Sequence, residues 1–201
     1  MTSERPRLNR DAVLRAAQAI IDERGLEACT MRAVAAELGV EAMSLYWHVP
    51  NKEALLDGVI ELIIAEMDVD YAGDGDWVTA LREGARTFRR VVLRHRNALP
   101  LLASRPLAAY AAASRITEDS IASLEAAGFD RPTAIRCARI VSRYVMGFTF
   151  GERAPAEAPP PSESPALDEL LKAVAADDQE ELFEFGLETM LKGLDAWRRP
   201  S

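Results

Sequence analysis

The side chains best able to do chemistry gather between Thr30 and Lys52. Ser44 and Tyr46 carry hydroxyls, Arg32 a guanidinium, His48 an imidazole and Lys52 an ammonium. Hydroxyls and an ammonium can hold phosphate oxygens, and a guanidinium can bond the edge of a guanine through two N–H groups. The segment from Thr30 to His48 has the layout of a helix-turn-helix. Ala35 is small where two helices must approach closely. Gly39 permits the left-handed backbone of a tight turn. Val40 and Leu45 plug the second helix onto the first, which leaves Met43, Ser44, Trp47 and His48 on other faces. An ordinary helical corner fits the same spacing. Taken singly, Lys52 reads as a solvated lysine, His48 as a turn histidine and Tyr46 as a cover for a small core.

No comparable constellation points to catalysis. The chain has no GxGxxG, P-loop, HExxH or GxSxG pattern. Cys29 and Cys137 are far apart and match no metal or disulfide spacing, so two buried free thiols are expected. We therefore expect no enzyme activity, no cofactor and no metal site.

The elements that would position these residues all read as helices. Val13, Ala16, Ala17, Ile20 and Ile21 recur at helical spacing after an Asn9 cap, and Gly25 stops them. Thr30 opens a short helix with Val34, Ala35 and Leu38 on one face, and a second short piece spans Ala42 to Trp47. Asn51 then caps a long helix with Leu55, Leu56, Val59, Ile60, Ile63 and Ile64. Gly73-Asp74-Gly75-Asp76 marks a loop and a plausible boundary. Further helices are expected over Trp77–His95, Leu107–Ala126 and Asp130–Gly151. A proline-rich loop at 154–165 follows, and helices over 166–177 and 179–197 close the chain. No period-two strand pattern or internal repeat is present. The expectation is an all-α chain in two parts. Residues 1–52 form a three-helix DNA-binding domain, continued by a connecting helix over 52–70, and residues 74–201 form a larger helical domain.

The charge balance bears on that division. The chain has 201 residues and a formal net charge of -8, which argues against a sequence-blind nucleic-acid coat protein. Residues 1–52 hold seven basic and seven acidic side chains, so all the excess acid lies beyond them. The N-terminus has no apolar run, and no stretch reaches the length of a membrane span. A cytoplasmic protein with no membrane partner is expected.

The run Leu45-Tyr46-Trp47-His48-Val49-Pro50-Asn51-Lys52-Glu53-Ala54-Leu55-Leu56 resembles the signature of the tetracycline-repressor (TetR) family of transcriptional regulators. The resemblance continues through Trp77, Phe88-Arg89, His95-Arg96, Ser104-Arg105-Pro106, Gly147-Phe148 and Phe185-Gly186-Leu187-Glu188. It implies a ligand-responsive repressor that binds a palindromic operator in double-stranded DNA as a homodimer and is released by a small molecule. The alternative is a helical ligand- or protein-binding protein of the same fold without specific DNA binding.

The resemblance makes Ala42 to His48 the recognition helix. It matches Thr30, Arg32, Ser44, Tyr46, Trp47, His48 and Lys52 to DNA-contacting positions. Ala42 and Met43 stand where tetracycline-responsive members carry a base-reading glutamine and a proline. Neither can form bidentate hydrogen bonds, and both can touch only apolar surface such as a thymine methyl. A different operator follows.

The same resemblance places an effector pocket in the C-terminal part, with Phe88, Leu102, Ser104, Tyr110, Tyr144, Phe148 and Glu152 as candidate walls. Plain core is the competing reading for each. Asp68 and Leu102 stand near positions where tetracycline-responsive members hold metal and drug with histidines, and Gly84 replaces a drug-contacting asparagine. A different, mostly apolar effector is therefore expected. The dimer surface is expected on the helices over 131–151 and 179–197, with Phe183, Gly186, Leu187, Met190 and Leu194 in it. An intramolecular core is the other reading of that apolar face.

Overall fold

The computed structural model describes residues 8–69, 71, 76–152 and 164–198. Those residues form ten α-helices and three short 3-10 turns, with no strand among them. They fall into two compact units. The first joins the chain up to Val69 with Arg90–Glu118, and the second joins Asp70–Arg89 with the chain from Asp119 onward. The stretch Arg90–Glu118, which the sequence assigns to the C-terminal domain, thus packs with the N-terminal helices. The expected Gly73–Gly75 boundary lies outside the described residues, as does most of the proline-rich loop. No helix of the described residues is long and apolar enough to cross a membrane.

In the first unit, α1 (Arg10–Arg24) starts where Asn9 Oδ1 accepts from the Ala12 N–H at 2.8 Å, and it buries Val13, Leu14, Ala17, Ile20 and Ile21. Gly25 ends it at φ 85, with its N–H on Ile21 O. α2 (Met31–Leu38) is capped by Thr30, and α3 (Ala42–Leu45) is a single turn. α4 (Lys52–Ala65) begins at an Asn51 cap and buries Leu55, Leu56, Val59, Ile60, Ile63 and Ile64. Gly58 lets α4 lie close on α1, because a Cβ there would collide with Leu14. The unit also takes the last turn of α5 (Trp77–Arg94), then α6 (Leu99–Ala103) and the start of α7 (Ala111–Ala126). The single helix expected over Leu107–Ala126 is interrupted. Tyr110 is extended at φ -92 and ψ 138, and its hydroxyl donates to Asp57 of α4 at 2.8 Å.

In the second unit, α5 packs with α7, with α8 (Arg131–Gly151) and with α10 (Gln179–Asp195) around one core. Asp130 caps α8 with Pro132 in its first turn. Trp77, Leu81, Ala85, Leu124, Phe129, Ala134, Cys137, Val141, Val145, Phe183, Leu187 and Leu191 fill the core. Trp77 meets Phe129 edge-on at 5.0 Å. α9 (Pro165–Ala176) is capped by Ser164 and exposes Leu167, Leu170 and Val174.

Candidate nucleic-acid interface

The helix-turn-helix is built from local rules. The Thr30 hydroxyl accepts from the Ala33 N–H at 3.1 Å and so fixes the start of α2. Gly39 ends α2 in the left-handed region at φ 66, and the Val40 N–H closes the turn on Ala35 O at 3.0 Å. α3 then has one anchor. Leu45 is fully buried, while Met43 is 70% exposed and Trp47 89% exposed. The Val49 N–H bonds Leu45 O, and buried Val49 leads the chain to the Asn51 cap of α4.

All nine candidate contacts lie in the first unit, at the start of α2, along α3 and its following turn, and at the start of α4. Thr30, Arg32, Met43, Tyr46, Trp47 and Lys52 are exposed, and Ala42, Ser44 and His48 are half-buried. α2 and α3 pack against each other. Among the described residues, no carboxylate pairs with Arg32 or Lys52, whereas Arg15, Arg24, Arg94 and Arg105 of the same unit all hold acids. Lys52 stands at the first residue of α4, where the partial positive charge of a helix start favours phosphate. Burial pushes the Cys29 thiol up from its ordinary value, with Lys52 pulling the other way, which disfavours the thiolate.

The seven candidate effector residues are divided. Leu102, Ser104 and Tyr110 belong to the first unit and have structural work there. Leu102 is buried, Ser104 donates to Leu101 O at 2.9 Å, and Tyr110 holds Asp57. Phe88, Tyr144, Phe148 and Glu152 belong to the second unit, which gathers them. Tyr144 and Phe148 stand 5.7 Å apart, and both rings pack on Phe183. Glu152 pairs with Arg89 through two bonds, of which the shorter is 2.6 Å. Arg89 also bonds Glu180 and lies 4.6 Å over the Phe183 ring. The sequence marks Arg89 only within the family resemblance and gives it no role in the site. Its position one turn after Ala85, on an apolar stripe, was the available signal that a buried acid must face it.

Most of the expected dimer residues pack inside their own chain. Phe183 and Leu187 are completely buried in their own chain's core, and Leu194 is nearly so. Met190 packs on that core as well. Gly186 faces Tyr144, whose hydroxyl fills the place of a Cβ and donates to Phe183 O at 2.8 Å. The apolar side chains left exposed on α8 and α10 are Ile140, Phe150, Leu182 and Phe185. The periodicity located the apolar stripe correctly, but one helix has room for a buried face and a second, smaller exposed one.

The chain has close relatives on both halves. A family model described as "Bacterial regulatory proteins, tetR family" matches residues 13–59, and one for the "Tetracyclin repressor-like, C-terminal domain" matches 71–198. The Escherichia coli tetracycline repressor protein class D is 32% identical over 200 residues, covering 94% of this chain and 90% of its own. The Streptomyces coelicolor TetR family protein ActR, solved in complex with actinorhodin, superposes with a TM-score of 0.80. It shares 28% identity and covers 94% of this chain and 98% of its own. BioQ, solved with its natural double-stranded DNA operator, gives a TM-score of 0.73. It shares 28% identity and covers 94% and 99%.

Proposed function

Because the chain belongs to the tetracycline-repressor (TetR) family of bacterial regulators, we propose that it is a ligand-responsive repressor of transcription. Two copies bind a palindromic operator, and a small molecule taken up by the C-terminal region releases them. The observation that carries this reading is the α3 turn. One buried leucine anchors it, and the large side chains Met43, Tyr46 and Trp47 are exposed. A core element would bury them. Arg32 and Lys52, without acidic partners among the described residues, flank that surface and supply charge for DNA. The operator-bound BioQ structure supports the assignment by likeness.

By this reading Arg32 reads a base, Lys52, Ser44 and Tyr46 hold phosphates, and Trp47 and His48 pack on sugar and phosphate. Met43 touches an apolar base edge. Two copies meet through Ile140 and Phe150 of α8 with Leu182 and Phe185 of α10, the apolar side chains that their own core leaves uncovered. The effector is largely apolar, because Phe88, Tyr144 and Phe148 surround the buried Phe183. At Gly84, where tetracycline-binding relatives place an asparagine, the Tyr71 phenol occupies the space a side chain would need. Burial, and after it the Asp119 charge, push the Tyr71 hydroxyl up to about 12, so it stays a neutral donor. The protein is a binding protein without catalytic chemistry, working in the cytoplasm where its operator lies.

A gel-shift assay with the DNA upstream of its own gene and of its neighbours tests the proposal. A specific, salt-sensitive complex is expected, and an apolar small molecule should dissolve it. Failure to form any specific complex would overturn the repressor reading.

A further inference from the structure

His95 follows the end of α5 and is only 5% exposed, yet it is surrounded by charge. Its Nδ1 lies 2.9 Å from Asp22 Oδ2 of α1, and its Nε2 lies 3.1 Å from Oε1 of Glu66, the residue that ends α4. Arg94 of α5 donates to the other Glu66 oxygen at 2.8 Å. The Gln18 amide of α1 donates to Glu66 Oε1 at 3.1 Å and stands 3.4 Å from His95 Nε2. Arg15 of α1 adds a longer-range positive charge facing Glu66. Asn97 fastens the same segment by donating to Asp22 O at 2.8 Å. Among the described residues, the charged groups on the ring are thus Asp22 of α1 and Glu66 of α4, with Arg94 of α5 and Arg15 of α1 facing Glu66.

A neutral imidazole has one N–H and one lone pair. Donating to carboxylates on both sides takes the imidazolium. When that proton leaves, one ring nitrogen meets a carboxylate lone pair to lone pair. Gln18 stands within reach of Nε2 to supply the missing N–H. The Gln18 amide nitrogen carries two N–H groups, so one can serve Nε2 while the other stays on Glu66 Oε1, but Glu66 still loses the bond from the ring. The ring then keeps its bond to α1 and gives up its bond to α4. An apolar side chain could fill this space without the desolvation cost of buried charge. The imidazole adds a link between two helices that depends on a proton.

We propose that His95 is a positioning residue for operator binding, whose imidazolium ties the end of α4 to α1 and whose loss of a proton frees α4 and weakens the complex. α4 carries Asn51 and Lys52 at its other end, about 20 Å along its axis, so the tie reaches the DNA side through a rigid element. Burial pushes the Glu66 carboxyl up, but the hydrogen bonds from His95, Gln18 and Arg94, with the His95 charge, outweigh it and leave Glu66 below its ordinary value.

The inference rests on operator binding by the helix-turn-helix, and its test separates the two. Operator affinity of the full chain is measured by fluorescence anisotropy at fixed ionic strength between about pH 5 and 8, where an imidazole changes charge. Affinity should fall as pH rises, by up to about tenfold per pH unit for one coupled proton. The fall should vanish in His95→Gln and persist in His48→Gln, the chain's other histidine, even though the latter binds more weakly throughout. Glu66→Gln should move the fall to lower pH, and it serves alone if His95→Gln does not fold. An unchanged pH profile in His95→Gln or in Glu66→Gln overturns the proposal, as does a fall that disappears in His48→Gln. No operator complex at any pH would instead overturn the operator reading on which the proposal stands.

Discussion

Trp47 and Phe183 are both large aromatic residues on helical segments, and the sequence assigns both to surfaces that meet another molecule. The structure treats them in opposite ways. Trp47 follows a helix of four residues with one buried anchor, and it is left 89% exposed. Phe183 lies on a helix of 17 residues whose apolar face is turned into the core, and none of it is exposed. The difference is one of helix length and partners. A single turn can bury one side chain and must present the rest. A long helix against three others buries a whole stripe, and of its large apolar side chains only Leu182 and Phe185, on its flanks, stay exposed.

The largest effect expected from this contrast is on stability. Phe183→Ala removes a ring packed on Tyr144, Phe148 and Arg89, and should cost about 3–5 kcal/mol in chemical denaturation. Trp47→Ala should change stability by no more than about 0.5 kcal/mol while weakening the operator complex. Similar stability losses in both variants would break the contrast. Next comes Gly186→Ala. Its new methyl would strike the Tyr144 hydroxyl, so a stability loss of about 1–3 kcal/mol is expected. A variant of unchanged stability that no longer dimerises would return Gly186 to the interface.

Two further substitutions sharpen the DNA side. Arg32→Ala should cost about 1–3 kcal/mol of discrimination at one base of each half-site, read by binding to operator variants. Lys52→Ala should weaken binding to all sequences alike and reduce the salt slope by about one. Uniform losses in both would remove Arg32 from base reading.

The smallest effect expected is an acid sensitivity contributed by the α10 carboxylates. The Arg86 hydrogen bond and charge hold Glu184 below its ordinary value, and Arg82 does the same for Glu188. A lowered folded-state value means stability that is present above the usual carboxylate range and is lost as pH falls through the lowered value. Unfolding followed by tryptophan fluorescence below about pH 4 should show this loss in the native chain and less of it in Arg82→Gln. Equal acid sensitivity in both would detach the effect from that pair.

What sequence reading reached, and what it missed, divides by distance along the chain. The caps at Asn9, Thr30 and Asn51 each act on an N–H three residues on, and all are legible in the sequence. So was Gly39, whose turn closes within five residues. The ties around His95 join residues 73 and 29 positions apart, and no local pattern announces them. The same holds for Arg89 with Glu152 and for Tyr110 with Asp57. Tyr110 shows the cost in the fold itself, since its long-range bond accompanies a break in what local propensity reads as one helix. The assignment of Arg90–Glu118 to the first unit was hidden for the same reason.

If α4 were to tilt as a rigid rod, the tight approach of Gly58 to Leu14 would act as its pivot. Lys52 lies about 9 Å from that point and Glu66 about 12 Å on the other side, at ~1.5 Å per residue. Rocking about the pivot moves the two ends in opposite directions. A displacement of ~1 Å at the Glu66 end becomes ~0.75 Å at the Lys52 end. The gearing is near unity, so the rod would pass on a small movement with little gain and little loss. Any bulk added at the pivot would jack the two helices apart and disconnect one end from the other.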